Sequence, residues 1–128
     1  MVEATVDAPA DAPPLDQAID LEHLARMTLG EHTLEREVLT LFDRQASILL
    51  ACMRNAVPAA MAAFAHTLKG SARGIGAWRV AEAADAVEAT AHAGPAQPDG
   101  SLERLVVALD EVKAEIAALL QPHPTRQI

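Results

Sequence analysis

Apolar residues recur at three- and four-residue intervals along most of the chain, and nowhere alternate with polar ones as a half-buried strand requires. The pattern predicts five helices. The first is short, "DLEHLARMTL", with Leu21, Leu24 and Met27 or Thr28 facing inward. The second runs from about Glu31 to Arg54, where Leu34, Val38, Leu41, Phe42, Ile48 or Leu49, and Cys52 or Met53 keep the helical period. "NAVP" ends it, and Pro58 suits the first turn of a third helix reaching Arg73. Gly74 and Gly76 are turn residues before a fourth helix from Ala77 to His92. "AGPAQPDG" reads as a loop. Ser101 can cap the last helix, whose Leu102, Leu105, Val106, Leu109, Val112, Ile116 and Leu119 form one apolar stripe.

One short helix and four longer ones with brief connections imply an all-α antiparallel four-helix bundle with a short additional N-terminal helix. Composition agrees: alanine is abundant, and Phe42, Phe64 and Trp78 are the only aromatic side chains of these types. The 128 residues suit a single domain over residues 17–121. Residues 1–16, rich in proline and acidic groups, read as a disordered tail, and residues 122–128 as a second tail. The bundle can bury its own stripes, so a monomer is expected.

Charge and sequence extremes narrow the function classes. A net charge of −8 argues against nucleic acid, which needs a cationic footprint. No apolar run is long enough to span a bilayer, and the first residues lack the basic start and apolar stretch of a signal peptide. Cys52 is the sole cysteine, so no intramolecular disulfide forms, which suits a reducing cytoplasm. It falls on an apolar stripe and is expected to be a buried small hydrophobe.

The third helix carries the candidate chemistry. At roughly 100° per residue, Met61, Phe64, Ala65, Leu68, Ala72 and Ile75 share the core arc. His66 lies opposite, flanked by Lys69, Gly70 and Arg73 and by Ala59, Ala62 and Ala63. A mid-helix glycine costs about 1 kcal/mol relative to alanine. At Gly70 that cost makes sense if another molecule must approach the imidazole closely. From Arg44 to Ala81 there is no Asp or Glu, while Arg44, Arg54, Lys69, Arg73 and Arg79 all fall in this span. An acidic chain thus keeps a cationic region around His66, suited to an anionic group and an acidic partner. By angle alone, an ordinary solvated face and a site both fit.

The segment "AHTLKGSARGIGAWRVAEAADAVE" resembles the signature of histidine-containing phosphotransfer (HPt) domains, His-x-Leu-Lys-Gly-Ser followed by a glycine and an amphipathic helix. "LGEHTLEREVLTLFDRQ" resembles the family's second helix, and the resemblance extends over roughly residues 19 to 120. It implies a four-helix bundle that shuttles phosphoryl groups between receiver-domain aspartates in two-component phosphorelays. By position, His66 would be the phosphoacceptor and Lys69 the cation that neutralises the phosphoryl oxygens. Gly70, with Ala62, Ala63 and Arg73, would form the receiver docking surface. Arg73 stands where the family varies, so phosphate binding and receiver contact both remain open for it. Gly76 matches the glycine at the turn between the central helices.

The implied partners are the receiver of a hybrid sensor histidine kinase and a response-regulator receiver, which would bring the magnesium ion. No cofactor or metal is expected on this chain, and with no nucleotide loop it is expected not to phosphorylate itself from ATP. His23, His32, His92 and His123 are scattered, and Glu88 with His92 supplies only two ligands at helical spacing. Trp78 fits either core or docking surface, with core favoured, and Arg79 fits the surface. A helical adaptor without phosphotransfer is the rival of a different class. A phosphate sink draining a response regulator would use the same chemistry in reverse.

Overall fold

The computed structural model describes residues 17–93 and 100–121, which hold five helices and, among these residues, no strand. They are α1 (Leu21–Met27), α2 (His32–Arg54), α3 (Pro58–Ile75), α4 (Trp78–His92) and α5 (Ser101–Leu120). Helices α2 to α5 close into a ring in which each packs against its sequence neighbour and α5 returns to α2, while α1 lies on α3. The short connections make successive helices antiparallel. This is the all-α bundle with an extra N-terminal helix that the apolar periodicity implies. Both expected tails and most of the "AGPAQPDG" loop lie outside the described residues.

The core is an aliphatic seam with small residues between the larger ones. Leu39, Phe42, Ala46, Leu49 and Met53 of α2 meet Ala65, Leu68, Ala72 and Ile75 of α3. Val80, Ala84 and Val87 of α4 and Leu105, Leu109, Val112 and Ile116 of α5 complete it. On α2 the buried positions recur at alternating three- and four-residue steps, which defines one face. Leu41, Ile48 and Cys52 fall on a neighbouring strip and are exposed. Cys52 is therefore not the buried hydrophobe expected of it; Met53, fully buried, takes that place. Leu34 and Met27 are likewise exposed, and Thr28 turns inward, its hydroxyl donating to the Leu24 carbonyl.

Two helix ends differ from expectation. Helix α3 continues through Gly74 to Ile75, and the chain turns only at Gly76, whose left-handed backbone (φ +81°) ends the helix. Gly100, also left-handed, occupies the N-cap of α5, and Ser101 is the first helical residue rather than the cap.

The N-terminal helix is fastened to the α3–α4 turn by polar contacts. The Asp20 amide donates to the Gly76 carbonyl at 2.9 Å, and Asp20 caps α1 by accepting from the His23 amide. The Trp78 indole donates to the other Asp20 oxygen at 3.0 Å, which holds the Asp20 carboxyl below its usual range. The His23 ring lies edge-on to Trp78 and donates from Nε2 to the Arg73 carbonyl, which also accepts from the Gly76 amide at the end of α3. Ahead of α1, Glu115 of α5 accepts from the Ala18 and Ile19 amides and seats Ile19 in the core. Half-buried Trp78 thus serves as a strut between α1 and α4.

Gly76 is needed twice over, for its backbone angle and because a Cβ there would sit 2.9 Å from the Asp20 carbonyl oxygen. Gly76→Ala is expected to destabilise the domain by about 1–3 kcal/mol. Urea unfolding followed by the fluorescence of Trp78, the sole tryptophan, would measure that loss.

Candidate functional site

The outward face of α3 is built from small residues around one imidazole. Ala63, Gly70 and Arg73 are exposed, and the His66 side chain is 66% exposed. Around Gly70 a Cβ would meet nothing within 4 Å, so glycine here is not required by packing within the chain. Ala62 behaves differently from its expected place on this face. It is buried to 4% exposure, because its angular position is on the flank of α3 that faces α4, and it offers no docking surface.

Helix α4 supplies the groups that meet this face. His66 Nδ1 lies 3.0 Å from Glu88 Oε2. Lys69 Nζ donates to Asp85 Oδ1 at 2.9 Å and forms an ion pair with Glu88 Oε1, also at 2.9 Å. The Lys69 side chain is only 14% exposed and that of Glu88 17%, whereas that of Asp85 is 61% exposed. His92, one turn beyond Glu88, places Nε2 3.8 Å from the same Oε2. Among the described residues no group of three or more His, Cys, Asp or Glu side chains is placed to hold a metal ion.

These contacts decide the state of the imidazole. The Lys69 ammonium, chiefly, and the hydrogen bond to His66 hold the Glu88 carboxyl below its usual range against the opposing effect of burial. Glu88 is therefore ionised at neutral pH and can only accept. In the neutral ring the hydrogen must then sit on Nδ1, which leaves the Nε2 lone pair free. Asp85 is also lowered, mainly by Lys69 and secondarily by Arg73, and Lys69 is raised by Asp85 and then Glu88. Chemically, the arrangement presents an oriented nitrogen nucleophile beside a cation, on a surface with little steric cover.

The cationic region inferred from the charge pattern needs correction here. Lys69 is neutralised in place by two carboxylates that lie just beyond the span counted along the chain. Along the chain Asp85 carries no mark of its own and Glu88 stands out only for its spacing from His92, yet the spacing to α3 holds a signal. His66 and Glu88 are 22 residues apart and Lys69 and Asp85 are 16 apart, both centred on Ala77. In a helical hairpin turning at Gly76 and Ala77, such positions lie side by side.

A second feature adjoins the face. Leu24, Leu34, Val38, Leu41, Phe42 and Ile75 line an apolar groove of about 340 Å³ between α1, α2 and α3. It reaches Gly74, one turn from Gly70, and Ser71, whose hydroxyl donates to Gln45 of α2. No helix among the described residues is long and apolar enough to cross a membrane.

Comparison with known proteins gives one family. The model of the Hpt domain matches residues 7–122. A search of curated proteins found no match.

The depressed carboxyls fix the sign of a pH effect. Their ion pairs stabilise the fold fully above the ordinary values of 4.5 for Glu88 and 3.8 for Asp85, and lose that contribution as pH falls through the lower folded values. Lys69 acts at the other extreme, losing its share only as pH rises past 10.5. The stability difference between wild type and Glu88→Gln should therefore narrow as pH falls below the ordinary carboxyl value of 4.5. Urea unfolding on either side of that value would show the narrowing.

Proposed function

The chain belongs to the Hpt domain family, and on that premise we propose that His66 is its phosphoacceptor. Domains of this family are phosphocarriers rather than kinases and act with receiver domains in two-component phosphorelays. The observation that carries the assignment to His66 is the orientation of its ring. Glu88 occupies Nδ1, and Nε2 belongs to a side chain that is 66% exposed.

The reaction asks little covalent machinery of this chain. The Nε2 lone pair attacks the phosphorus of an aspartyl phosphate, the P–O bond breaks, and the carboxylate leaves with its electron pair. The Nδ1 hydrogen stays directed at Glu88, whose negative charge stabilises the imidazolium so formed. Transfer of this kind depends on alignment and charge neutralisation. Lys69, one turn from His66, is the cation at hand. The magnesium ion would come with the receiver, and no metal is assigned to this chain.

The proposed route runs from the receiver of a hybrid sensor histidine kinase, through His66, to the aspartate of a cytoplasmic response regulator. Gly70 and Ala63 form the close-approach surface, with Arg73 at its edge. The apolar groove reaching Gly74 offers uncharged contact area beside it. The chain is proposed to act as a monomer. The domain is assigned to residues 17–121, with the segments outside it as tails.

Incubation with phosphoramidate followed by intact-mass measurement tests the acceptor. Wild type should gain one acid-labile phosphoryl group and His66→Gln none, while the variant keeps its helical circular dichroism. Labelling of the variant would place the acceptor on another residue, and no labelling of folded wild type would move the adaptor reading ahead. Gly70→Gln should slow transfer from a cognate receiver while stabilising the helix by up to about 1 kcal/mol. An unchanged transfer rate in stopped-flow quench experiments would count against close approach at this position.

A further inference from the structure

We propose that Asp85 sets how long the phosphoryl group resides on His66, by competing with that group for the Lys69 ammonium. The proposal rests on the reading of His66 as acceptor. Lys69 is already spoken for in the unphosphorylated protein, lying 2.9 Å from both Asp85 Oδ1 and Glu88 Oε1. To neutralise a phosphoryl group it must give up at least part of one contact.

The two carboxylates are not equally free to let go. Glu88 is mostly covered and is bound through its other oxygen to His66 Nδ1, so its departure would also release the ring. Asp85 is 61% exposed and can turn to water at small cost. Asp85 is therefore the partner that Lys69 exchanges. Arg73, which lowers the Asp85 carboxyl through its charge, favours the ionised competitor.

The consequence follows from charge. With phosphoramidate as donor, Nε2 forms the new N–P bond as the old P–N bond breaks. The donor reacts in its N-protonated form, so ammonia leaves with the electron pair. The product brings up to about two negative charges next to a site that already holds two carboxylates. Part of Lys69's attraction for them is offset by its loss of Asp85. The phosphorylated state is thereby raised in free energy relative to the resting state, which favours onward transfer. Asp85 is a positioning residue in this scheme, acting through Lys69.

A small donor separates this effect from any partner contact made by Asp85. Wild type, Asp85→Asn, Asp85→Glu and the double variant Asp85→Asn/Lys69→Gln would be compared with Lys69→Gln. Each is labelled with phosphoramidate, freed of donor in mildly alkaline buffer and followed by intact mass. Asp85→Asn should lengthen the half-life of the phosphoprotein by about threefold or more, on the scale of an exposed ion pair. Asp85→Glu should restore a value near wild type, and Asp85→Asn should change little once Lys69 is Gln. Decay of labelled Asp85→Asn at the wild-type rate would overturn the proposal. So would an equally large effect without Lys69, which would place the cause in direct repulsion or in the fold. Absence of label on wild type would instead remove the acceptor reading itself, and the role of Asp85 with it.

Discussion

The tight turn at Gly76 and Ala77 is the constraint on which the site depends. Gly76 takes a left-handed backbone and lies so close to Asp20 that a side chain would collide with it. Because the reversal takes so few residues, α4 runs back along α3 in one register. That register sets Glu88 beside His66 and Asp85 beside Lys69. A longer or slipped turn would move every α4 carboxylate along the face of α3. The contacts of Asp20, His23 and Trp78 then brace the turn from the α1 side.

The electrostatics that result are those of a balanced cluster rather than a cationic patch. Each charged group is held by its neighbours: Lys69 lowers the Glu88 and Asp85 carboxyls, and they raise the Lys69 ammonium in turn. Such mutual support orders side chains that would otherwise be mobile on an exposed face. It also means that the cluster must rearrange when a further anion arrives. Orientation of the imidazole and the cost of that rearrangement come from the same pair of α4 carboxylates. The small residues around His66 have a separate role, keeping the approach to Nε2 unobstructed.

The bundle itself was legible along the chain. Apolar spacing located all five helices, and the core arc of α3 contains the residues found buried there, from Ala65 to Ile75. The exposed imidazole among small residues was legible for the same reason, since a helix turns each position by a constant angle. Helix α2 was harder. Its apolar residues are spread over two adjacent strips, Leu34, Leu41 and Ile48 on one and Leu39, Phe42, Ala46, Leu49 and Met53 on the other. Periodicity cannot say which of two apolar strips the other helices will cover.

The amino-acid sequence by itself determined which segments are helical and which face of α3 looks outward, because both follow from local geometry and from the period of apolar side chains. The tertiary structure alone decided which strip of α2 is buried, that Ala62 is covered, and that Lys69 is already paired. These outcomes depend on where a second helix lies, and therefore on contacts between residues distant along the chain. A charge count along a segment omits the helix that folds back over it, and here that helix carries Asp85 and Glu88.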